Sequence, residues 1–215
     1  MTRIIDGASR YERENRSRYL PLFAQLGTEQ HPHTLFVTCA DSRVVPNLIA
    51  GGDPGDLFVV RNIGNLVPPA NETVDASVPS AVAYAIDVLG VSDIVICGHS
   101  SCGAMKALLA EPPANPHLRR WLEIGRPSVD ALRSSNPMGE ERPIYDRLSM
   151  LNAIRQVETL RTYPVVRDRL EKGTLALHAW WFDVAEGRVL VHSARDARYI
   201  SVEQVAAKGD ITLSS

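Results

Sequence analysis

Several absences narrow the reading of this chain before any motif does. No apolar run approaches the roughly 18 residues that a membrane-spanning helix needs. Only three cysteines occur in 215 residues, Cys39, Cys97 and Cys102. That small odd number argues against a disulfide scaffold and suits a reducing compartment. No Lys/Arg block stands out and the formal net charge is −2, so nothing points to nucleic acid or an anionic membrane. The polar, acid-containing start "MTRIIDGASRYERENRSRY" does not read as a signal or transit peptide. Internal repeats and low-complexity segments are absent too. A cytoplasmic protein with no membrane span is the expectation.

What remains is ordinary globular composition, 45% apolar and 22% charged, at a length that buries a sizeable core. Residues 1–215 are read as one domain, with 1–30 a helical N-terminal arm interrupted at Pro21. "TLFVTCA" (34–40), "DLFVVRNIG" (56–64) and "SDIVICGH" (92–99) read as strands. "SVPSAVAYAIDVLG" (77–90) has helical spacing closed by Gly90, and "SCGAMKALLA" (101–110) starts a helix directly after a strand. Segments 115–137 and 145–173 read as helical, the second broken by Pro164. "TLALHAWWFDV" and "RVLVHSA" form a hairpin around Glu186-Gly187. Nearly uniformly apolar strands alternating with helices predict an α/β fold. Its central sheet is mostly parallel and flanked by helices, with an antiparallel C-terminal edge strand.

Chemistry concentrates at two strand ends. "CADSR" sets Cys39, Asp41, Ser42 and Arg43 where the first strand leaves the core, and "HSSC" sets His99 and Cys102 at the end of the third. Taken alone, either cluster reads as a metal site, an ion pair or a polar turn. Together they offer two thiolates, an imidazole and a carboxylate, donors that suit zinc, although no paired C-x-x-C knuckle is present. Parallel sheets bind ligands outside the carboxyl ends of their strands. Cys102 falls at a helix start, where unpaired N–H groups favour a thiolate, and the N–H of Gly103 is available to an anionic ligand. With all four ligands such a shell is closed. If Asp41 leaves, a position opens, and Arg43 is a bidentate partner able to hold the detached carboxylate. Cys97, inside its strand, reads as core. His31, His33, His117, His178 and His192 lack a metal spacing and read as loop or core residues.

At these residues the chain closely resembles the β-class carbonic anhydrases. The matching stretches are "CADSR", "GDLFVVRNIGNLV", "AVAYAIDVLGVSDIVICGHSSCGAM", "TLRTYP" and "LALHAWWFDVAEG", in order from about residue 20 to 192. The resemblance implies a carbonate dehydratase, a lyase that reversibly hydrates carbon dioxide to bicarbonate and a proton by zinc-bound hydroxide. Zn2+ would be held by Cys39, His99 and Cys102, with Asp41 as a fourth ligand in a closed form or paired with Arg43 in an active one. Gln30, nine residues before Cys39, matches the plant-like group. Phe36 and Phe182 stand where a bicarbonate-regulated bacterial group has tryptophan and tyrosine. Carried over by position, Gln30, Phe58, Ile63, Tyr84 and Gly103 line a substrate cleft shared between two subunits, which implies a homodimer or dimer of dimers. Ile63 replaces the valine usual in the plant-like pattern. The alternatives on the same scaffold are a carbonyl sulfide or carbon disulfide hydrolase and a non-catalytic, zinc-stabilised bicarbonate-sensing module.

Overall fold

The computed structural model describes residues 2–71, 75–135 and 141–208. Its centre is a six-stranded sheet: β1 (Thr34–Cys39), β2 (Leu57–Asn62), β3 (Asp93–His99), β4 (Ala176–Asp183), β5 (Arg188–Ser193) and β6 (Arg198–Ser201), in the order β2-β1-β3-β4-β5-β6. The first four strands in that order are mutually parallel, β5 runs antiparallel to β4, and β6 runs antiparallel to β5 and so in the direction of the first four. The α/β expectation therefore holds. The C-terminal hairpin is followed by a further strand, β6, which forms the edge.

All six residues of β1 are buried, as an uninterrupted apolar and β-branched run requires when both sheet faces are covered. Alternate residues face opposite layers. Leu35, Val37, Ile94, Ile96, Leu177 and Ala179 join one apolar cluster, whereas Phe36, Val95, Cys97 and Phe182 join another across the sheet. Because the chain steps from β1 to β2 on one side and then to β3 on the other, crossover direction reverses between β1 and β3. A crevice opens at the carboxyl ends at such a point, and Cys39 and His99 are the last residues of those two strands.

The helices are α1 (Arg3–Glu14), α2 (Arg16–Gln25), α3 (Pro46–Ala50), α4 (Ser77–Ala83), α5 (Gly103–Leu109), α6 (Pro116–Leu122), α7 (Arg126–Ser135), α8 (Ile144–Arg161), α9 (Pro164–Glu171) and α10 (Val202–Lys208). Four readings change. The N-terminal arm breaks at Asn15, and Pro21 lies inside α2, forfeiting one i→i−4 bond without ending the helix. The helix after Ser77 widens at Tyr84–Val88 into a π turn, with Leu89 N–H donating to the Tyr84 carbonyl, before Gly90 (φ +67°) stops it. The helix expected over 115–137 is three pieces, α6, a 3₁₀ turn (Glu123–Gly125) and α7. Its last two residues lie outside the described residues. α3 and α10 were not anticipated. Of the single-domain expectation over 1–215, residues 1, 72–74, 136–140 and 209–215 lie outside the described residues.

Helix α8 packs on β3 and β4 and carries much of the core, burying Leu148, Met150, Leu151, Ala153, Val157 and Leu160. It comes close enough to β3 to require glycine there: a Cβ on Gly98 would sit 2.9 Å from both the carbonyl and the hydroxyl oxygen of Ser149. No described helix is long and apolar enough to cross a membrane.

Candidate metal centre

The two strand ends meet. One donor atom each from Cys39, His99 and Cys102 lies within 4.8 Å of the other two, and all three residues are buried. Local bonding orients each donor. His99 Nδ1–H donates to the Ser100 carbonyl at 2.9 Å. A carbonyl only accepts, so the proton is on Nδ1 and Nε2 presents its lone pair. That Nε2 is fully buried and has no hydrogen-bond partner. An orphaned buried nitrogen facing two thiols is what a bound cation would satisfy. The three donors fit a soft divalent metal such as zinc.

Of the two thiols, Cys39 ionises first. Its pKa is drawn well below that of a free thiol, chiefly because the Cys102 thiol donates to it. The Gly64 N–H (3.4 Å from Sγ) adds to this against the opposing cost of burial. The same bond and burial push Cys102 up. Cys102 stands just before α5 as its N-cap rather than inside the first turn. The turn leading to it is strained: Ser101 has φ +55°, a left-handed conformation costing about 1–2 kcal/mol for a non-glycine residue. Asp146 stabilises that turn by accepting the Ser101 N–H at 2.6 Å.

Asp41 is turned to Arg43. Arg43 Nε donates to Oδ1 at 2.9 Å, Nη2 to Oδ2 at 2.8 Å, and its main-chain N–H to Oδ1 at 3.0 Å. This fork holds the Asp41 carboxyl well below the usual carboxylate range, against a smaller burial penalty. Asp41 Oδ2 is still only 3.9 Å from His99 Nε2, beside the donors but engaged elsewhere. Ser42 is exposed, as is Arg43, in the turn closed by Val44 N–H on the Asp41 carbonyl.

The residues expected to line a cleft divide. Gly103 opens α5 beside Cys102 and is exposed. Ile63 follows β2 and accepts the Trp121 indole N–H at 2.7 Å. With Asn62, Asp75, Ser77, His117, Arg120 and Trp121 it lines a cavity of about 440 Å³. Phe58 is elsewhere. It pairs with Leu35 while Asn62 pairs with Cys39, so it lies about 13 Å back along the strand at roughly 3.3 Å per residue. Tyr84 accompanies it, with ring centroids 5.8 Å apart, and Gln30 is exposed on the loop before β1. Within one chain, Phe58 and Tyr84 therefore sit toward the far ends of the strands from the metal donors.

The remaining histidines are placed without metal partners among the described residues: His31 on Glu29, His33 on Thr34, His178 on Asp93 at 2.8 Å and His192 against the Tyr199 ring. His117 lines the cavity beside Ile63. Cys97 is fully buried, and burial pushes its thiol up to about 12. Sequence reasoning missed Arg61, whose guanidinium donates to the carbonyls of Cys39 (3.3 Å) and Asp41 (2.7 Å). The signal was present, an arginine inside the apolar strand "LFVVRN".

Comparisons with known proteins agree with this geometry. Residues 34–189 match the family described as carbonic anhydrase. A carbonic anhydrase of Pseudomonas aeruginosa is 40% identical over 206 residues, covering 95% of this chain and 93% of that one. The solved β-carbonic anhydrase CcaA superposes with a TM-score of 0.87 at 35% identity, over 93% of this chain and 90% of its own. One of two tetrameric β-carbonic anhydrases from Sordaria macrospora superposes at 0.77 with 28% identity, over 87% of this chain and 94% of its own.

Proposed function

The chain belongs to the β class of the carbonic anhydrase family, and from that premise we propose that it reversibly hydrates carbon dioxide with a zinc ion held by Cys39, His99 and Cys102. The observation that carries the metal assignment is the orphaned, fully buried His99 Nε2 facing two thiols. When bound, zinc supplies a Lewis acid that brings the ionisation of water close to neutral pH.

The chain's own residues do the rest. Cys39 and Cys102 would contribute two negative charges and His99 a neutral nitrogen, so the three donors would balance a divalent ion and leave room for water. Asp41 as fourth ligand would close it. Arg43 draws the Asp41 carboxylate away, leaving it beside the donors as an acceptor that would hold and orient a water facing carbon dioxide. Backbone N–H groups at the start of α5, that of Gly103 first, stabilise negative charge on the product side.

We assign Gln30, Phe58 and Tyr84 to the site of a partner subunit and Ile63 and Gly103 to the chain's own. In support, Phe58 and Tyr84 lie away from the donors of their own chain. α1 and α2 bury no residue and expose Ile4, Ile5, Leu20 and Phe23, apolar surface suited to a second copy in a homodimer or dimer of dimers. Membership of the plant-like group is supported by Phe36 and Phe182. Both are buried in one apolar cluster, where Phe36 packs edge-on against Trp180, and neither ring offers an N–H or O–H to a regulatory bicarbonate. Few cysteines fit a reducing, cytoplasmic location. One domain over 1–215 remains our reading.

Stopped-flow hydration of carbon dioxide at pH 7 and 8.5 tests this, with carbonyl sulfide and carbon disulfide as competing substrates. Acceleration with carbon dioxide at least as great as with either analogue is expected. Turnover of an analogue alone would reassign the enzyme. No turnover at either pH, with full zinc, would leave a zinc-stabilised binding module.

A further inference from the structure

Helix α8 buries a polar stripe. Asp146, Ser149, Asn152 and Gln156 are 6, 1, 0 and 2% exposed. Their spacing keeps them within an arc of about 120° on a helix that turns about 100° per residue. Polar groups so deeply buried require partners, and each of these reaches a backbone group outside the helix.

The partners are the segments that carry the metal donors. Asp146 accepts the N–H of Ser101, the residue before Cys102, and the Ser101 carbonyl is in turn 3.4 Å from Arg43 Nη2. Ser149 Oγ accepts the His99 N–H at 3.2 Å, donates to the His99 carbonyl at 2.9 Å, and lies 3.3 Å from the donating Trp181 indole nitrogen. Asn152 Nδ2 donates to the Gly64 carbonyl at 3.2 Å, while Gly64 N–H points at Cys39 Sγ. Asn152 is fixed by Ser128 Oγ at 3.1 Å and by Gln156 Nε2 at 2.9 Å. Gln156 Oε1 accepts Val67 N–H at 2.8 Å, anchoring the far end of the same loop. Space is tight at both contacts: a Cβ on Gly98 would strike Ser149, and one on Gly64 would lie 2.8 Å from Ala104 Cβ.

We propose that α8 is the positioning element of the metal centre, with Asp146, Ser149 and Asn152 each holding the backbone beside one of the donors Cys102, His99 and Cys39, and Gln156 bracing Asn152. None of the four touches substrate or reacting atoms; they act by pre-organising three donors drawn from separate strand ends. The inference rests on the assignment of those three residues as ligands. It extends that assignment to a single helix that reads all three segments at once.

The test measures zinc affinity by chelator competition and cobalt(II) thiolate charge-transfer spectra on the full chain, alongside Tm. Asp146→Ala, Ser149→Ala and Asn152→Ala are expected to bind metal about 10- to 100-fold more weakly, with shifted or broadened charge-transfer bands. Asp146→Asn, whose amide oxygen still accepts the Ser101 N–H, is expected to recover near wild-type affinity. Leu160→Ala, an apolar deletion on the same helix, is expected to lower Tm while leaving affinity and spectra unchanged. If the stripe variants bind metal as wild type does, or if affinity follows Tm through Leu160→Ala as well, the proposal is overturned and the ligand assignment stands. A wild-type chain that binds no metal would overturn both. Should Asn152→Ala not fold, the Asp146 pair, at the start of the helix, decides the matter alone.

Discussion

Arg43→Ala probes the Asp41 switch directly. In the structure two fork bonds of 2.9 and 2.8 Å and a main-chain bond of 3.0 Å hold the carboxylate away from the donors. The substitution removes the fork and leaves the main-chain bond. The guanidinium is 45% exposed and the carboxylate 18%, so solvent screening trims the fork well below the value of a buried charged pair. A contribution of about 1–2 kcal/mol is appropriate. By the Boltzmann relation that is roughly a 5- to 30-fold change in the ratio between Asp41 held by Arg43 and Asp41 turned to the metal. Turnover in stopped-flow assays is therefore expected to fall by up to that factor, with zinc content unchanged. Arg43→Lys, a point charge without the fork, is expected to fall between the two. Near-normal turnover of a zinc-replete Arg43→Ala protein would show that the pair is an ordinary turn ion pair.

Three further predictions concern other parts of the molecule. Cys102→Ala is expected to lose most bound zinc by elemental analysis. Cys97→Ala, a small deletion in the core, is expected to keep it at a cost of about 1 kcal/mol in urea melts. Equal zinc in both proteins would refute the donor assignment. Asp93 has its pKa lowered by the His178 contact, so its contribution is complete above the unfolded carboxylate value near 4 and is lost as pH falls through the lower folded one. For a pair this exposed, Asp93→Asn is expected to cost about 0.5–1 kcal/mol at pH 7, with the gap closing below about pH 4; a gap constant with pH would contradict this. Gly98→Ala forces a Cβ onto backbone and hydroxyl oxygens of Ser149 and is expected to destabilise by about 1–3 kcal/mol, read from Tm and urea midpoints. A neutral effect would mean that α8 is free to move off β3.

The parts of the fold legible in the sequence are those fixed by long uniform patterns. The buried apolar runs of β1 and β3 mark the parallel sheet, and their polar carboxyl ends mark the crevice. Short elements escaped because they carry too few residues for a period: α3 is five residues and β6 four. Pro21 was misleading because proline only disfavours a helix, and packing or neighbouring turns can override it. The α8 stripe was invisible for a different reason. Asp146, Ser149, Asn152 and Gln156 at helical spacing look like a solvated face, and only the sheet lying against them reveals that they are buried. The place of Arg61 in an apolar strand was a signal, but its partners, the carbonyls of Cys39 and Asp41, depend on tertiary contacts. The Gly64 N–H on Cys39 depends on a loop whose path no local pattern dictates.

Zinc held by Cys39, His99 and Cys102 is what we propose makes this chain a carbon dioxide hydratase. The most direct test of this strips the protein with a chelator, restores zinc in graded amounts, and follows hydration by stopped flow at each step. Hydration is predicted to vanish on stripping and return in proportion to bound zinc up to stoichiometry. Stoichiometric zinc with no acceleration over the uncatalysed reaction would contradict it.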